Sequence, residues 1–184
     1  MPFIPFEIIK DYDLRLIDEI IEEVKNNAGV NLSRRSDLYC FIIFALYKLI
    51  EDDGRIGVIT SNSWLGTSWG KKFFKALNKY FEVNQIHISG NKRWFDNAQI
   101  VTVILVLTKK AEIVSPENNT LMSFYKGNKS LSQIENESEF FDIIVRSSLL
   151  DRELNSNVIE LSRYTYQQII DLQNLNISLN ALFH

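Results

Sequence analysis

The 184-residue sequence predicts an α/β domain, and three observations carry that reading. Segments with helical spacing of apolar residues alternate with short apolar runs from residue 13 to residue 107. Two of those runs, Ile56 to Ile59 and Ile100 to Leu107, are short and rich in β-branched residues, as strands are. With 46% hydrophobic and 12% aromatic residues, the chain has ample material for a core. Its length allows one domain, or one and a fraction.

The elements follow in order. Pro2 and Pro5 keep the first residues extended. Leu14, Ile17, Ile21 and Val24 recur at helical spacing and predict a helix over 13–26, with Gly29 as its stop. A second helix runs from Leu38 to Ile50, where Lys48 is the only charged residue, so it is covered on most sides. Ser36 suits its N-cap, Asp37 its first turn, and Gly54 a left-handed end. A strand over 55–60 leads straight into a polar shelf, Ser61-Asn62-Ser63. Ligands in open α/β sheets are held at that place, outside the carboxyl end of a strand.

A third helix follows over 69–80, with Phe73 and Leu77 as core and Lys71, Lys72, Lys75 and Lys79 on another side. Ser68 suits its cap. Strands are predicted over 83–88 and 100–107, and the unbroken apolar run of the latter is the pattern of a strand buried on both faces. The loop between them, Ser89 to Ala98, is polar and basic apart from Trp94-Phe95. Further on, Ser115 to Asn119 reads as a loop, Leu121 to Tyr125 as a strand, Phe140 to Val145 as an apolar run of either type, and Tyr164 to Leu175 as a helix.

Composition excludes several classes. The apolar helix is too short to cross a bilayer, which takes about 20 apolar residues. The one cysteine, Cys40, lies within that helix and reads as a buried thiol in a reducing compartment. The first residues have neither the basic start nor the apolar run of a signal peptide, so a cytoplasmic location and no membrane partner are expected. The net charge of −3 conceals a segment over 55–110 with nine basic and two acidic residues, between flanks of −5 each. That centre reads either as a nucleic-acid footprint or as an ordinary solvated helix face.

No Gly-x-Gly fingerprint, Pro-Pro pair or Cys/His cluster occurs, so neither a complete cofactor loop nor a metal site is expected. Gly66-Thr67-Ser68-Trp69-Gly70 fits the Gly-x-Ser-x-Gly elbow of α/β-hydrolases. The elbow, however, joins strand directly to helix, whereas several residues intervene here, and a triad would have only His87 or His184 to use.

Three segments, in their order and spacing, carry a family resemblance: Asp37-Leu38-Tyr39, Gly54-Arg55-Ile56-Gly57-Val58-Ile59-Thr60-Ser61-Asn62-Ser63-Trp64-Leu65, and Trp94-Phe95-Asp96-Asn97-Ala98 before the long apolar strand. Together, over residues 36–110, they resemble the carboxyl-terminal half of adenine-specific (N6) DNA methyltransferase domains, as in large type II restriction-modification enzymes. The resemblance implies a partial Rossmann-like methyltransferase sheet with helices on its faces and an antiparallel terminal strand. In that arrangement the strand over 100–107 inserts antiparallel between the strands over 55–60 and 83–88. Residues 1–110 would form the carboxyl-terminal half of the catalytic domain, and residues 111–184 its continuation and a link towards a target-recognition domain.

The resemblance also implies roles. S-adenosylmethionine would be bound in the intact protein, with Phe41 or Ile42 at the pocket wall; Ile42 would replace the usual aromatic. Phe95 matches the phenylalanine that stacks on an adenine swung out of the duplex, Asn62 and Ser63 would line the base pocket, and Lys92 and Arg93 would contact DNA. Flipping a base costs a few kcal/mol, and stacking on an aromatic returns about 1–3 kcal/mol. The alternative for Trp94-Phe95 is a small satellite core under the loop. The family's Asn/Asp-Pro-Pro-Tyr/Phe tetrapeptide and glycine-rich loop are absent, so no catalytic residue is assigned and the chain is expected to be inactive alone, as a segment of a larger enzyme. Its expected partners are double-stranded DNA, the remainder of the protein and, through an open sheet edge, another copy. A non-catalytic DNA-binding or assembly module is the alternative reading.

Overall fold

A computed structural model describes residues 14–89, 100–114, 119–125, 154–155 and 159–174. The expectations for Pro2, Pro5, 90–99, 115–118 and 140–145 lie outside them. Helices α1 (Leu14–Ala28), α2 (Leu38–Tyr47) and α3 (Ser68–Tyr80) accompany strands β1 (Arg55–Ser61), β2 (Phe81–Ser89) and β3 (Thr102–Lys109). Strands β4 (Asn119–Tyr125), β5 (Leu154–Asn155) and β6 (Ile159–Thr165) and helix α4 (Tyr166–Asn174) complete the described elements.

Six strands form one sheet in the order β1-β3-β2-β4-β6-β5. β3 is antiparallel to both β1 and β2, pairing Val58 with Leu105 on one side and Ile86 with Leu105 on the other. The inserted antiparallel strand is thus as the resemblance implied, and β1 and β2 run in the same direction. β4 joins β2 in parallel, so residues 119–125 continue the same sheet. β1 is an edge strand among the described residues.

The helices pack on one face. Val103, Leu105 and Leu107 are fully buried there with Val58, Ile86 and Ile88, and with Phe73, Phe74 and Leu77 from α3. The other face of β3, through Ile104 and Val106, is only half-buried, and Gly57 of β1 is exposed. Burial of the long apolar run is therefore complete on one face rather than on two. α1 buries Ile17, Ile20, Val24 and Ala28, and Gly29 ends it at φ +64°.

Some boundaries differ from expectation, each for a local reason. Asp37, not Ser36, occupies the N-cap of α2, and α2 ends at Tyr47, whose hydroxyl donates to the Lys110 carbonyl at 2.8 Å. Beyond it, Lys109 Nζ donates to the Ile50 carbonyl at 2.7 Å and pairs with Asp52 at 3.0 Å, tying the turn to the end of β3. The left-handed residue of that turn is Asp53, at φ 61°, not Gly54. Gly54 is needed for closeness instead: a Cβ there would meet Ile50 Cγ2 at 2.5 Å and the Glu51 carbonyl at 2.7 Å.

α3 is capped by Thr67, whose Oγ1 accepts from Gly70 N at 3.2 Å, so Ser68 is already helical rather than the cap. At the other end of the chain, Tyr164 and Thr165 belong to β6, and the helix begins two residues later than expected. Thr165 Oγ1 accepts from Gln168 N at 3.2 Å while Gln168 Oε1 accepts from Thr165 N at 2.7 Å, a reciprocal capping box. Tyr166 then stacks on Phe74 with centroids 6.0 Å apart, which docks α4 on the shared core.

Candidate functional site

β1, β2 and β4 point the same way, so their carboxyl ends share one edge of the sheet. That edge is polar. Ser61 ends β1, Thr102 stands opposite it at the start of β3, and Ser89 ends β2; all three are buried. Ser89 Oγ accepts from Thr102 N at 3.3 Å. Among the described residues Thr102 Oγ1 has no hydrogen-bond partner, and neither does the buried Ser36 Oγ.

The chain turns sharply at the edge because Trp64 is drawn into the core. Its indole is fully buried between Phe73 (5.7 Å, edge-on) and Phe74 (5.8 Å, stacked), and Nε1 donates to Thr60 Oγ1 at 3.2 Å. A short 3-10 helix, Asn62–Gly66, follows from that constraint and lifts Ser61, Asn62 and Ser63 into a shelf. The Asn62 amide donates to the Val101 carbonyl at 3.0 Å, which fixes the shelf to the segment entering β3.

Asp37 organises the shelf from the start of α2. Its side chain caps no helix amide; Oδ2 instead accepts from Ser63 Oγ at 2.8 Å and Ser61 Oγ at 3.2 Å. Tyr39 OH lies 3.1 Å from Ser61 Oγ and 3.3 Å from Ser63 Oγ, and the two serine oxygens are 2.5 Å apart. Three hydroxyl protons serve this cluster. With both serines donating to Asp37, the tyrosine proton goes to a serine oxygen, and the carboxylate orders the whole group. Burial pushes the Tyr39 hydroxyl pKa well above its usual range, so it stays a protonated donor. The arrangement presents an oriented, half-buried carboxylate and hydroxyls suited to receiving an N–H or O–H donor.

The sequence-predicted residues are distributed around this group. Ser63 is a direct member, Asn62 contributes its backbone amide, and both side chains are half-buried. Phe41 is 1% exposed within the core, whereas Ile42 keeps part of its surface open. Lys92, Arg93 and Phe95 lie outside the described residues; in sequence they fall between Ser89, which ends β2, and Thr102, which begins β3, both at this sheet edge. Sequence reasoning places Ser61 in the shelf without giving it a role, and it misses the side-chain parts of Asp37 and Tyr39 in the site. The signal that could have found them is the pair of serines two apart just past a strand end, with an acidic residue opening the preceding helix.

Two other polar features stand apart. His87 is buried on β2, with Ser123 Oγ on β4 2.5 Å from Nδ1 and Gln85 Oε1 2.9 Å from Nε2, so the neutral ring accepts from the serine and donates to the amide oxygen. Burial pulls its pKa down to about 4. Cys40 is fully buried and its thiol pKa is raised by that burial, which makes it unreactive. Among the described residues no group of three or more His, Cys, Asp or Glu could hold a metal ion, and no described helix is long and apolar enough to cross a membrane.

Residues 5–95 match the Eco57I restriction-modification methylase family. Over 80 residues the chain is 32% identical to the type II methyltransferase M.BanIII of Aneurinibacillus aneurinilyticus, covering 44% of this chain and 14% of that relative. The solved type IIG restriction endonuclease BpuSI shares the fold at a TM-score of 0.57 and 15% identity, over 91% of this chain and 18% of its own. A type I restriction-modification methyltransferase subunit from Streptococcus thermophilus gives 0.57 and 15% over 92% of this chain and 34% of its own. A modification subunit of a putative type I restriction enzyme from Vibrio vulnificus gives 0.55 and 13% over 72% and 28%. At these identities the structural likeness is one of fold, and the chain spans a minor part of each relative.

Proposed function

We propose that the chain, which matches the restriction-modification methylase family over residues 5–95 and resembles a type II methyltransferase in sequence, is part of such a methyltransferase and serves S-adenosylmethionine-dependent methylation of adenine in double-stranded DNA, in the cytoplasm. Residues 1–110 supply the carboxyl-terminal half of the catalytic domain and residues 111–184 its continuation towards a target-recognition domain. The observation that carries this reading is the Asp37–Ser61–Ser63 shelf at the carboxyl end of β1, beside the inserted strand β3 and inside the segment that matches the family.

Each residue has a part in it. Asp37 holds Ser61 and Ser63 so that the shelf offers acceptors to the amino edge of an extruded base, with Asn62 and Ser63 closest to it. Phe95, which in sequence lies between the ends of β2 and β3 at this edge, stacks on that base, and Lys92 and Arg93 hold the adjacent phosphates. S-adenosylmethionine supplies the methyl group. The chain's own residues fit one wall of its site: Ile42 offers apolar surface, Phe41 backs it from the core, and no glycine-rich cradle occurs in the sequence. The remaining wall and the Asn/Asp-Pro-Pro-Tyr/Phe tetrapeptide would come from the remainder of the methyltransferase, which the open edge of β1 is placed to accept; that edge could also pair two copies.

The test is methyl transfer from labelled S-adenosylmethionine to DNA, with the chain in its intact methyltransferase or combined with the missing half. Labelled N6-methyladenine is expected. Label in cytosine alone would overturn the adenine assignment. The second reading, a non-catalytic DNA-binding or assembly module, is favoured by the absence of Pro-Pro and Gly-x-Gly from the sequence. DNA binding with no methyl transfer in the combined system would select it.

A further inference from the structure

Helix α3 carries Lys71, Lys72, Lys75 and Lys79 and no acidic residue. Its buried side is fully used by Gly70, Phe73, Phe74 and Leu77, which join the core. Lys72 and Lys75 are exposed and Lys79 half-buried, and at spacings of three and four they share one face. They span about 10 Å along the axis at 1.5 Å per residue.

Like charges at this spacing repel and weaken a helix, so the cluster is not there for the helix's own stability. Three other basic residues among the described ones are matched: Arg34 pairs with Asp18 at 2.8 Å, Lys48 with Glu23 at 2.6 Å and Lys109 with Asp52 at 3.0 Å. No carboxylate among the described residues forms an ion pair with Lys72, Lys75 or Lys79. The face also has a definite position. α3 begins directly after the 3-10 helix that carries the shelf, so its first turns stand beside the polar edge of the sheet.

We propose that the Lys72–Lys75–Lys79 face of α3 is a track for the phosphates of duplex DNA, adjoining the shelf. The charge pattern selects a polyanion with repeated charges. That the polyanion is duplex DNA rests on the methyltransferase reading above. A backbone held along α3 leads to the sheet edge where the extruded base is received, so the track would deliver DNA in register with the site. Each lysine that neutralises a phosphate releases counterions and steepens the salt dependence of binding.

The experiment is fluorescence anisotropy of the 184-residue chain with a labelled duplex of about 20 base pairs, over a salt series starting at about 20 mM. Replacing the three lysines together (K72Q, K75Q and K79Q) should make the slope of log affinity against log salt shallower by about 2.7, at about 0.9 for each phosphate no longer neutralised. The corresponding triple arginine variant should keep the slope. A glutamine variant with unchanged circular dichroism that keeps the full slope overturns the track and leaves the methyltransferase reading standing. Equal loss in the arginine variant shows that charge is not the cause and overturns it too. Tighter binding of single-stranded RNA through the same lysines overturns the occupant. No duplex binding by the unsubstituted chain, even at the lowest salt, overturns the DNA-partner reading and the track with it.

Discussion

Asp37 Oδ2 accepts a 2.8 Å hydrogen bond from Ser63 Oγ, 26 residues away, while standing at the N-cap of α2 without capping it. A residue type whose usual task is local has been redirected to a tertiary one. The helix start and the shelf are thereby made one unit, with Ser61 and Tyr39 inside it. Asp37→Ala should therefore cost more than the removal of a cap. Removing a charged acceptor that serves two hydroxyls costs about 1.5–3 kcal/mol, against about 1 kcal/mol for a typical cap. Urea denaturation of the variant beside Ser63→Ala reads this directly. If Asp37→Ala costs no more than about 0.5 kcal/mol, well under a typical cap, the carboxylate does not organise the shelf.

His87 gives the fold a pH dependence of definite sign. Its folded pKa is about 4, below the ordinary value of 6.5, because burial disfavours the charged ring. Below pH 6.5 the unfolded chain takes up the proton first, so stability is fully present above that pH and falls until about pH 4. The difference corresponds to about 3 kcal/mol at most, at 1.36 kcal/mol per unit. Urea midpoints between pH 7.5 and 4, compared with His87→Gln, should show a slope in the parent that the variant lacks. Equal slopes would assign the acid sensitivity to other groups.

Two glycines should respond oppositely to alanine. At Gly70 a Cβ would lie 1.8 Å from the Trp64 carbonyl oxygen, which is backbone and cannot swing away. The helix-propensity gain of about 1 kcal/mol is outweighed by overpacking of about 1–3 kcal/mol or more, so Gly70→Ala should be destabilising on balance. At Gly57 nothing lies within 4 Å and φ is not positive, so alanine should stabilise by about 0.4–1 kcal/mol through the unfolded chain. Thermal melts of the two variants check both signs, and a stabilised Gly70→Ala would mean that the Trp64 turn is not held as described.

Much of the fold is legible from the residues because local and global demands agree. The run from Ile100 to Leu107 could only be an interior strand, and its pairing with Val58 and Ile86 on two sides follows from that. Phe73 and Leu77 are core as their spacing requires. The misses occur where a distant interaction chooses between two locally acceptable options. Ser36 and Asp37 both suit a cap, and the serines of the shelf decide between them. Thr67 and Ser68 both suit the next one, and the close packing of Gly70 on Trp64 sets the register. The end of β6 looks helical in sequence because its strand state depends on pairing with β4, where Tyr164 meets Thr120. Tyr39 looks like core, and it is fully buried, yet its hydroxyl reaches the site.

The base-stacking role proposed for Phe95 can be separated from a structural one by where the substitution acts. In the intact methyltransferase, Phe95→Ala should remove stacking of about 1–3 kcal/mol per base, which corresponds to roughly 5- to 150-fold in the population of extruded base. A fluorescent purine at the target position reports that population, and single-turnover methylation reports its consequence. Phe95→Trp should restore much of both, since any aromatic face can stack, whereas Phe95→Leu keeps apolar volume for a satellite core and loses the stacking. Recovery by leucine rather than tryptophan would place Phe95 under its loop as packing and leave the shelf without a stacking partner.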